Sequence, residues 1–331
     1  MRHLNKIFFL IFLLAGTVAG GVWWWASQPL RLDHSPLDFR IIAGSSLRSA
    51  IGQIQEAGVD VHPSLLSLLA RVRLAETGIK AGSYSIKRGV TPLQLLEKLT
   101  QGKVTLGQVT LVEGLTFKQW RAKLDSHPDL IHETQNLTEA EIIERLGLPV
   151  ARLDGWLFSD TYLFDKQSTD LELIARAERT MQYKLEDEWA GRAEGLPYKT
   201  RHDALVMASI VEKETGLEAD RTLVAAVFVN RLRKGMLLQT DPTVIYGLGE
   251  GFDGNLRKRD LQTDTPYNTY MRFGLPPTPI AMPGLASLRA ALHPAPSDVL
   301  YFVARGDGSS EFSRTLDEHN RAVNKYQRGG K

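Results

Sequence analysis

The sequence predicts an α+β protein with three parts: an apolar N-terminal helix, a small module of strand–helix units, and a larger α+β domain with a glutamate-bearing helix. Three observations predict this fold class. A long uncharged run follows Lys6, and a strand–glycine–helix pattern then occurs three times. Beyond the last copy, amphipathic helices alternate with short strands and prolyl loops.

The composition indicates a globular protein and excludes several function classes. The 331 residues suffice for two domains, with 43% hydrophobic and 24% charged residues. Forty Lys and Arg against 38 Asp and Glu give a net charge of +2, too balanced for a nucleic-acid binder. The chain has no cysteine, which excludes a disulfide framework, a thiol nucleophile and a thiolate metal site.

The N-terminal run Ile7–Ala26 is apolar or small throughout, and no charge lies between Lys6 and Arg31. A helix of this length reaches roughly 30 Å, the thickness of the bilayer core. The tryptophans at 23–25 suit the membrane–water interface. We therefore expect a cytoplasmic tail at 1–6, a single-pass transmembrane helix at 7–28, and the remaining chain outside the cytoplasm at the inner membrane.

A cleaved signal peptide is the alternative for this segment. The run AGTVAGG, residues 15–21, offers the small residues of a cleavage site. The apolar stretch continues through the tryptophans, however, beyond the length of a typical signal-peptide core. This favours an uncleaved anchor.

Three similar segments follow the anchor. Each reads as a short alternating strand, a glycine, a Ser or Thr helix cap and an amphipathic helix. The copies begin at Phe39, Tyr84 and Val109, with glycines at 44, 89 and 114 and caps at Ser46, Thr91 and Thr116. The pattern predicts a module at 36–108, and the third copy opens a second domain at 109–331.

The copy YSIKRGVTPLQLLEKL, from Tyr84, resembles a LysM module, a strand–helix unit that binds GlcNAc-containing polymers. The alternative is that these units only form an α+β spacer. Residues 125–199 are predicted to be mostly helical, because TEAEIIERL and DLELIARAERTMQYKLEDEWAGRA both show helical periodicity. Between them, the aromatic segment Asp154–Phe164 is either core or a wall on which sugars stack.

The segment MASIVEKETG, Met207–Gly216, places two glutamates at the end of an apolar run. On a helix, Glu214 extends the face of Met207 and Ile210, and Glu212 lies about 200° away around the axis. Desolvation on that face raises the pKa of a carboxyl group, as a general acid near neutral pH requires. Gly216 is the expected helix end.

Other interpretations of these glutamates stay open at this point. Glu214 is equally compatible with a solvated carboxylate or one paired with Arg201 or Arg221, and Glu212 with a solvent-facing side chain, a residue orienting a neighbour, or the acid itself. The chain lacks HExxH, phosphate-loop and GxSxG motifs, and its histidines lack metal-ligand spacing. No metal or other cofactor is predicted.

The chain after Glu214 alternates regular and irregular segments. RTLVAAVFVNRLRKGM predicts a second amphipathic helix, and LLQTDPTVIYG predicts a turn at Asp241–Pro242. The prolyl segment Thr265–Gly284 predicts a rigid loop whose Tyr and Asn suit carbohydrate, although purely structural turns are the alternative. A hairpin is expected from strands at 300–304 and 311–313 around a glycine turn at 306–308.

Six motifs in order, ASIVEKET, NRLRKGMLLQTDPTVIYG, YNTY, GLPPTPIAMPG, ALHPA and YFVA, resemble the MltG (YceG-like) family of endolytic murein transglycosylases. In that family the second glutamate of EKE is catalytic, which implies Glu214 here. Ser159 stands where the family usually has proline before Asp-Thr-Tyr, a departure that concerns only the shape of the local loop. The aromatic position of that segment is kept by Trp156.

The resemblance implies a lytic transglycosylase that cleaves the MurNAc-β-1,4-GlcNAc bond within peptidoglycan strands and leaves 1,6-anhydroMurNAc ends. Most glycosidases use two carboxylates, whereas this reaction needs one, acting first as acid and then as base. Glu212 is a candidate supporting residue for Glu214. The candidate substrate-binding residues are Gln239, Asp241, Tyr246, Tyr267, Asn268, Tyr270 and Trp156.

The family further implies peptidoglycan synthases as partners, a role in ending glycan strands, and action close to the membrane. Two rival functions remain at this stage. A hydrolytic muramidase would use water and leave reducing ends, and a non-catalytic scaffold would bind glycan and recruit synthases.

Overall fold

The chain divides into two compact units in a computed structural model that describes residues 2–73 and 78–329. The first unit comprises Met1–Gln108, Pro128–Ile131 and Leu163–Ser168, and the second comprises Val109–His127, His132–Tyr162 and Thr169–Lys331. Residues 128–131 and 163–168, which the sequence alone assigns to the second domain, group with the first unit. Met1, residues 74–77 and residues 330–331, which the predicted boundaries include, lie outside the described residues.

The first unit contains helices α1 (Arg2–Ala26), α2 (Leu47–Glu56), α3 (Pro63–Val72) and α4 (Pro92–Gln101), and strands β1 (Arg31–Leu32), β2 (Leu37–Ile41), β3 (Val59–Asp60) and β4 (Gly82–Ile86). Strand β2 pairs antiparallel with β4, and Phe39 lies opposite Tyr84 with ring centroids 5.7 Å apart. Strands β1 and β3 form a second antiparallel pair. The apolar side of β2 and β4 packs with α2, α3 and α4 in one core.

The three repeated strand–glycine–cap–helix segments predicted from sequence are confirmed. The glycines at 44, 89 and 114 have φ of +80°, +94° and +76°, a backbone region that favours glycine. Ser46 and Thr91 cap α2 and α4, and Thr116 caps α5 (Phe117–Asp125), each accepting a backbone N–H three residues ahead. Local chemistry therefore fixes where each of these helices starts.

Helix α1 carries exposed apolar side chains, including Phe9, Phe12, Leu14 and Trp24. Over residues 2–73 and 78–329, no helix is both long enough and apolar enough to cross a membrane. The mixed α+β class is confirmed, but the predicted transmembrane helix at 7–28 is not found. The side chains of Ile7, Phe8, Ile11 and Ala15 lie outside the described ones.

The second unit is mainly helical. Its helices after α5 are α6 (Glu139–Leu146), α7 (Asp170–Ala190), α8 (Arg201–Glu214), α9 (Glu218–Arg233), α10 (Asp241–Leu248), α11 (Lys258–Leu261), α12 (Leu285–Leu292) and α13 (Leu316–Tyr326). The strands are β5 (Leu106–Leu111) and β6 (Asp160–Asp165), whose residues divide between the units, and β7 (Tyr301–Ala304) and β8 (Ser310–Ser313). Each of these two strand pairs forms a two-stranded sheet.

Helix α8 lies at the centre of the second unit. It packs against α7, α9, α10 and α12, and every residue from Ala204 to Val211 is buried. The helix therefore has no single apolar face for Glu214 to extend, because the side on which Glu212 lies is buried as well. Ser209, on that side, is fully buried, and its hydroxyl donates to Val206 O and accepts the N–H of Ile280.

Two further expectations are corrected and three are confirmed. Asp241–Pro242 does not form a turn but begins α10, because proline is well tolerated in the first helical turn. The segment 125–199 is not mostly helical, because beyond α5 only α6 and α7 are helices there, and strand β6, in which Tyr162 and Phe164 are buried, lies between them. The predicted helix after Glu214 is α9, the 265–284 segment is a loop, and β7 and β8 form the predicted hairpin.

Candidate active site

Glu214 is the last residue of α8, and its side chain is half-buried. The helix ends there because the next residue, Thr215, is extended, with φ −145° and ψ 131°. The predicted helix end at Gly216 is therefore one residue too late. The Thr215 hydroxyl accepts the N–H of Leu217 at 3.0 Å, which fixes the turn leading to α9. The Glu214 carboxyl group is thus attached at the C-terminal end of a buried helix.

Thr240 is the direct hydrogen-bond partner of Glu214. Its hydroxyl donates to Glu214 Oε1 across 26 residues of sequence. Sequence analysis missed this residue, although it lies inside the LLQTDPTVIYG motif. A local signal adjoins it: Gln239 has φ +51°, a conformation that is uncommon for a residue with a side chain and concentrates at functional sites.

The surroundings of Glu214 favour its protonated form. Burial is the largest influence and raises its pKa above the usual 4.5. The hydrogen bond from Thr240 opposes this, the negative charge of Asp241 raises the pKa further, and Arg231 lowers it. The Arg231 guanidinium is itself buried and donates to the carbonyls of Leu238 and Leu300, each at 2.7 Å. A carboxyl with a raised pKa can donate a proton near neutral pH.

Glu212 has a different hydrogen-bond partner from Glu214. Its Oε2 accepts the N–H of Gly284 at 3.0 Å, at the start of α12. The pKa of nearby Glu113 is raised by burial and then by the charge of Glu212. Arg201 pairs with Glu186 and not with Glu214. The two glutamates of the EKE motif therefore bind separate parts of the unit, and Glu212 connects α8 to α12.

Asp241, Tyr270 and Gln239 surround the contact between Thr240 and Glu214. The Tyr270 hydroxyl donates to Asp241 Oδ1 at 2.5 Å, and the pKa of Tyr270 is raised by burial and by this bond. Asp241 and Gln239 are exposed, and Tyr270 is half-buried. Gln239 N–H donates to Thr269 O at 3.1 Å, which holds its backbone while its side chain stays available. The structure brings these three predicted residues together.

Tyr246 and Tyr267 form an aromatic pair whose ring centroids are 4.8 Å apart at an angle of 62°. The Tyr246 hydroxyl donates to Asp154 Oδ2 at 2.6 Å, and Tyr267 shares a hydrogen bond of 2.8 Å with Thr278. Both rings are half-buried, so part of each remains available for contact. Asp154 is 1% exposed and was not identified from the sequence.

Asn268 and Trp156 occupy different kinds of position. Asn268 is fully buried; its amide donates to Leu261 O and Thr263 O and accepts the N–H of Tyr270. These contacts hold the loop between α11 and α12. Trp156 is half-buried and stacks on His202 with centroids 6.0 Å apart. Close to it, Ser159 replaces the family proline, and its buried hydroxyl has no partner among the described residues.

One group of side chains in the described part of the chain has the composition of a metal site. One ligand atom each from Asp125, His132 and Asp170 lie within 4.8 Å of one another. Asp170 already accepts hydrogen bonds from Thr134 and Leu171, and Arg121 lies 3.7 Å from Asp125. These residues belong to α5, α7 and the chain between them, whereas Glu214 ends α8.

Comparisons with known proteins identify the family. The model of the YceG-like family matches residues 39–325. A Bacillus subtilis (strain 168) protein named endolytic murein transglycosylase is 35% identical over 321 residues, covering 90% of this chain and 87% of that protein. A protein of the same name from Streptococcus pneumoniae serotype 2 (strain D39) is 27% identical; the match covers 96% of this chain and 64% of that protein. The crystal structure of a yceG-like protein from Listeria monocytogenes matches with a TM-score of 0.55 and 32% identity, covering 87% of this chain and 99% of that one. This chain belongs to the YceG-like family.

Proposed function

We propose that this protein is a lytic transglycosylase that cleaves the MurNAc-β-1,4-GlcNAc bond within peptidoglycan strands, using Glu214 as its acid and base. One observation carries the proposal: the environment of Glu214, the last residue of the buried helix α8. Burial raises the pKa of its carboxyl group, and Thr240 donates a hydrogen bond to one of its oxygens. The name of the relatives, endolytic murein transglycosylase, supports the substrate and the internal position of the cut.

The first step uses protonated Glu214. It donates its proton to the glycosidic oxygen as the bond to the MurNAc anomeric carbon breaks, and the acetamido oxygen of MurNAc attacks that carbon. In the second step the C6 hydroxyl attacks the same carbon, the acetamido oxygen leaves, and the hydroxyl proton returns to Glu214. No water is consumed, so the product is a 1,6-anhydroMurNAc end and the carboxyl group is regenerated in its protonated form.

The positive charge that develops on the acetamido group needs a stabilising partner. Asp241 is the exposed carboxylate nearest in sequence to Thr240, and Tyr270 holds one of its oxygens at 2.5 Å. We assign Asp241 to this role, because a fixed carboxylate stabilises a positive charge that forms beside it. Gln239 is assigned to hydrogen bonding with sugar hydroxyls. The half-buried rings of Tyr246, Tyr267 and Trp156 are assigned to stacking on sugars, and the fully buried Asn268 to holding its loop.

Product analysis tests the proposal. Purified sacculi are digested with the wild type and with Glu214→Gln, and the glycan ends are identified by mass. The wild type should release ends that are one water lighter than reducing ends, and Glu214→Gln should lower their yield by at least about 100-fold. Glu178→Gln is the matched control. Glu178 is also a buried glutamate whose pKa is raised by burial, but it lies on α7.

Each rival function has its own outcome in this experiment. Reducing MurNAc ends from the wild type would assign a hydrolytic muramidase. Binding of sacculi without any cleavage would assign a glycan-binding scaffold. A variant Glu212→Gln that abolishes turnover without loss of folding, beside an active Glu214→Gln, would make Glu212 the acid.

We further infer that α1 attaches the protein to the cytoplasmic membrane, with both units outside the cytoplasm. The uncharged run between Lys6 and Arg31 and the exposed apolar side chains of α1, such as Phe9, support the attachment. The basic residues Arg2 and Lys6 before the run support a cytoplasmic N-terminus. The natural chain has no cysteine, so a single introduced cysteine reports its own location. Lys325→Cys, at an exposed site on α13, should react with a membrane-impermeant maleimide in intact spheroplasts. Reaction only after lysis would place the units inside.

The first unit is proposed to hold glycan near the membrane in the manner of a LysM module, and peptidoglycan synthases are the proposed partners. The strand, cap and helix that recur in the three repeated segments support the resemblance to LysM. The inactive variant Glu214→Gln separates binding from cleavage. It should sediment with purified sacculi, and retention unchanged in a chain lacking residues 36–108 would contradict a glycan-binding role for this unit.

A further inference from the structure

We propose that Thr240 is a positioning residue that keeps the catalytic proton of Glu214 on Oε2 by occupying Oε1. The inference rests on the proposed function, because it specifies which oxygen of Glu214 exchanges a proton with the glycan. It starts from the hydrogen bond that Thr240 donates to Oε1 and from the unusually complete fixation of Thr240 itself.

Two buried threonines fix the backbone of Thr240. Thr240 N–H donates to the Thr269 hydroxyl at 3.1 Å, and the Thr243 hydroxyl donates to Thr240 O at 2.7 Å. The hydroxyls of Thr243 and Thr269 also contact each other at 2.8 Å. All three threonines are at most 2% exposed. The peptide on either side of Thr240 therefore cannot rotate without breaking a buried hydrogen bond, which is costly.

The preceding residue adds to this fixation. Gln239 has φ +51°, and its N–H donates to Thr269 O at 3.1 Å. A non-glycine residue keeps such a conformation only where its surroundings enforce it. Thr269 thus accepts the N–H groups of two successive residues, Gln239 and Thr240. The Cα of Thr240 is therefore held in place, and its side-chain hydroxyl contacts Glu214.

The direction of the hydrogen bond follows from counting hydrogens. A threonine hydroxyl has one hydrogen, and among the described residues Glu214 Oε1 is the acceptor found for that of Thr240. If Thr240 accepted instead, its own hydrogen would be buried without a partner, which costs free energy. Oε1 is therefore an acceptor, and the proton of neutral Glu214 resides on Oε2. The same oxygen then donates in the first step and accepts the proton in the second.

Three other groups influence the protonation of Glu214. Asp241, at the start of α10, raises its pKa; Arg231, on α9, lowers it; and Tyr270, on the prolyl loop, interacts with it electrostatically. Burial is the largest influence and raises the pKa. The hydrogen bond from Thr240 counteracts burial, because a donor to a carboxylate stabilises its charged form. Loss of the Thr240 hydroxyl should therefore raise the pKa of Glu214 and also free its rotation.

The test compares Thr240→Val, which keeps the shape but loses the hydroxyl, with Thr240→Ser, which keeps the hydroxyl. Thr180→Val is the matched control, since the Thr180 hydroxyl donates to Arg176 O within α7. Two quantities are measured: the pH profile of anhydro-end formation, and the titration of the Glu214 carboxyl carbon by NMR on isotope-labelled protein. Glu214→Gln identifies that NMR signal. The titration does not require turnover, so it stays informative if the proposed function fails.

Thr240→Val should lower kcat about 10- to 100-fold, the usual effect of losing a hydrogen bond to a charged group, with a smaller change in KM. In Thr240→Val, the alkaline limb of the pH profile of anhydro-end formation should move to higher pH. The NMR titration of the Glu214 carboxyl carbon should move in the same direction. Thr240→Ser should restore kcat to within about threefold of the wild type, and Thr180→Val should match the wild type. If Thr240→Val does not fold, Thr240→Ala takes its place with the same expectations.

Two results would overturn the assignment. One is a Glu214 titration that does not move when the hydroxyl is removed. The other is a Thr240→Ser variant as impaired as Thr240→Val, which would show that the shape of residue 240 matters and its hydroxyl does not. A wild type that forms no anhydro ends would refute the proposed function, and the titration would still decide whether Thr240 controls the carboxyl group.

Discussion

The hydrogen bond between Tyr246 and Asp154 should contribute measurably to the stability of the second unit. Asp154 is 1% exposed and accepts two hydrogen bonds, from Phe117 N–H at 2.7 Å and from the Tyr246 hydroxyl at 2.6 Å. Arg152 lies 3.6 Å from the same oxygen that Tyr246 contacts. The perturbations are Tyr246→Phe, which removes the donor, and Asp154→Asn, which removes the negative charge.

The expected magnitudes follow from the contacts. A hydrogen bond to a charged group contributes roughly 1.5–3 kcal/mol, so Tyr246→Phe should cost about 2 kcal/mol. Asp154→Asn has only one oxygen: if that oxygen accepts Phe117 N–H, the side-chain NH2 group faces the Tyr246 hydroxyl, which then loses its charged acceptor, so a similar cost is expected. The double variant loses the same bond only once. Its cost should be smaller than the sum of the single costs by about 1–2 kcal/mol.

The assay is urea unfolding of the four proteins, with the free energy of unfolding compared in a double-mutant cycle. Tyr183→Phe is the control: its side chain is 68% exposed, and its loss of hydroxyl should change stability by less than about 0.5 kcal/mol. If the two single costs add to within about 0.3 kcal/mol, the two side chains do not interact, and the predicted contribution of their hydrogen bond to stability is refuted.

Three further predictions follow from the same structure. Gly155→Ala should destabilise the protein by about 3 kcal/mol in urea unfolding, since Gly155 has φ +82° and a Cβ there would lie 2.4 Å from Pro279; an unchanged midpoint would contradict this packing. Thr116→Ala should cost about 1 kcal/mol in the same assay, because Thr116 caps α5; no loss would contradict the role of the cap. The raised pKa of Glu214 means that its contribution to stability is complete below the usual 4.5 and is lost as the pH rises through the raised value. The Tm of Glu214→Gln should therefore rise relative to that of the wild type with increasing pH, and a constant difference would contradict the raised pKa.

The sequence predicted those parts of the fold whose cause is local. The three capped helices after Gly44, Gly89 and Gly114 could be located because glycine and a Ser or Thr cap act within a few residues. The hairpin of β7 and β8 was predicted for the same reason. Strand β6 was missed, because its alternation is brief and it is stabilised by pairing with β5, far away in sequence.

The candidate site was predicted only in part, and the physical reason differs between residues. Glu214 was located by its place at the end of an apolar run and by the family motif, although α8 is buried on all sides and has no single apolar face. Thr240 was missed because its contact with Glu214 depends on tertiary packing. The start of α10 was misread as a turn, since Asp-Pro favours both a turn and a helix N-terminus. The left-handed Gln239 cannot be recognised from sequence, because glycine is the usual residue there.

The most direct test of the central claim is to digest peptidoglycan in water enriched in heavy oxygen and to determine the masses of the new MurNAc ends by mass spectrometry. Proton transfer through Glu214 with attack by the C6 hydroxyl uses no solvent oxygen. We therefore predict anhydro ends without heavy oxygen from the wild type, and at least about 100-fold fewer such ends from Glu214→Gln. A rise in reducing MurNAc ends above an undigested control kept in the same water would contradict the mechanism, because such ends form when water attacks the anomeric carbon.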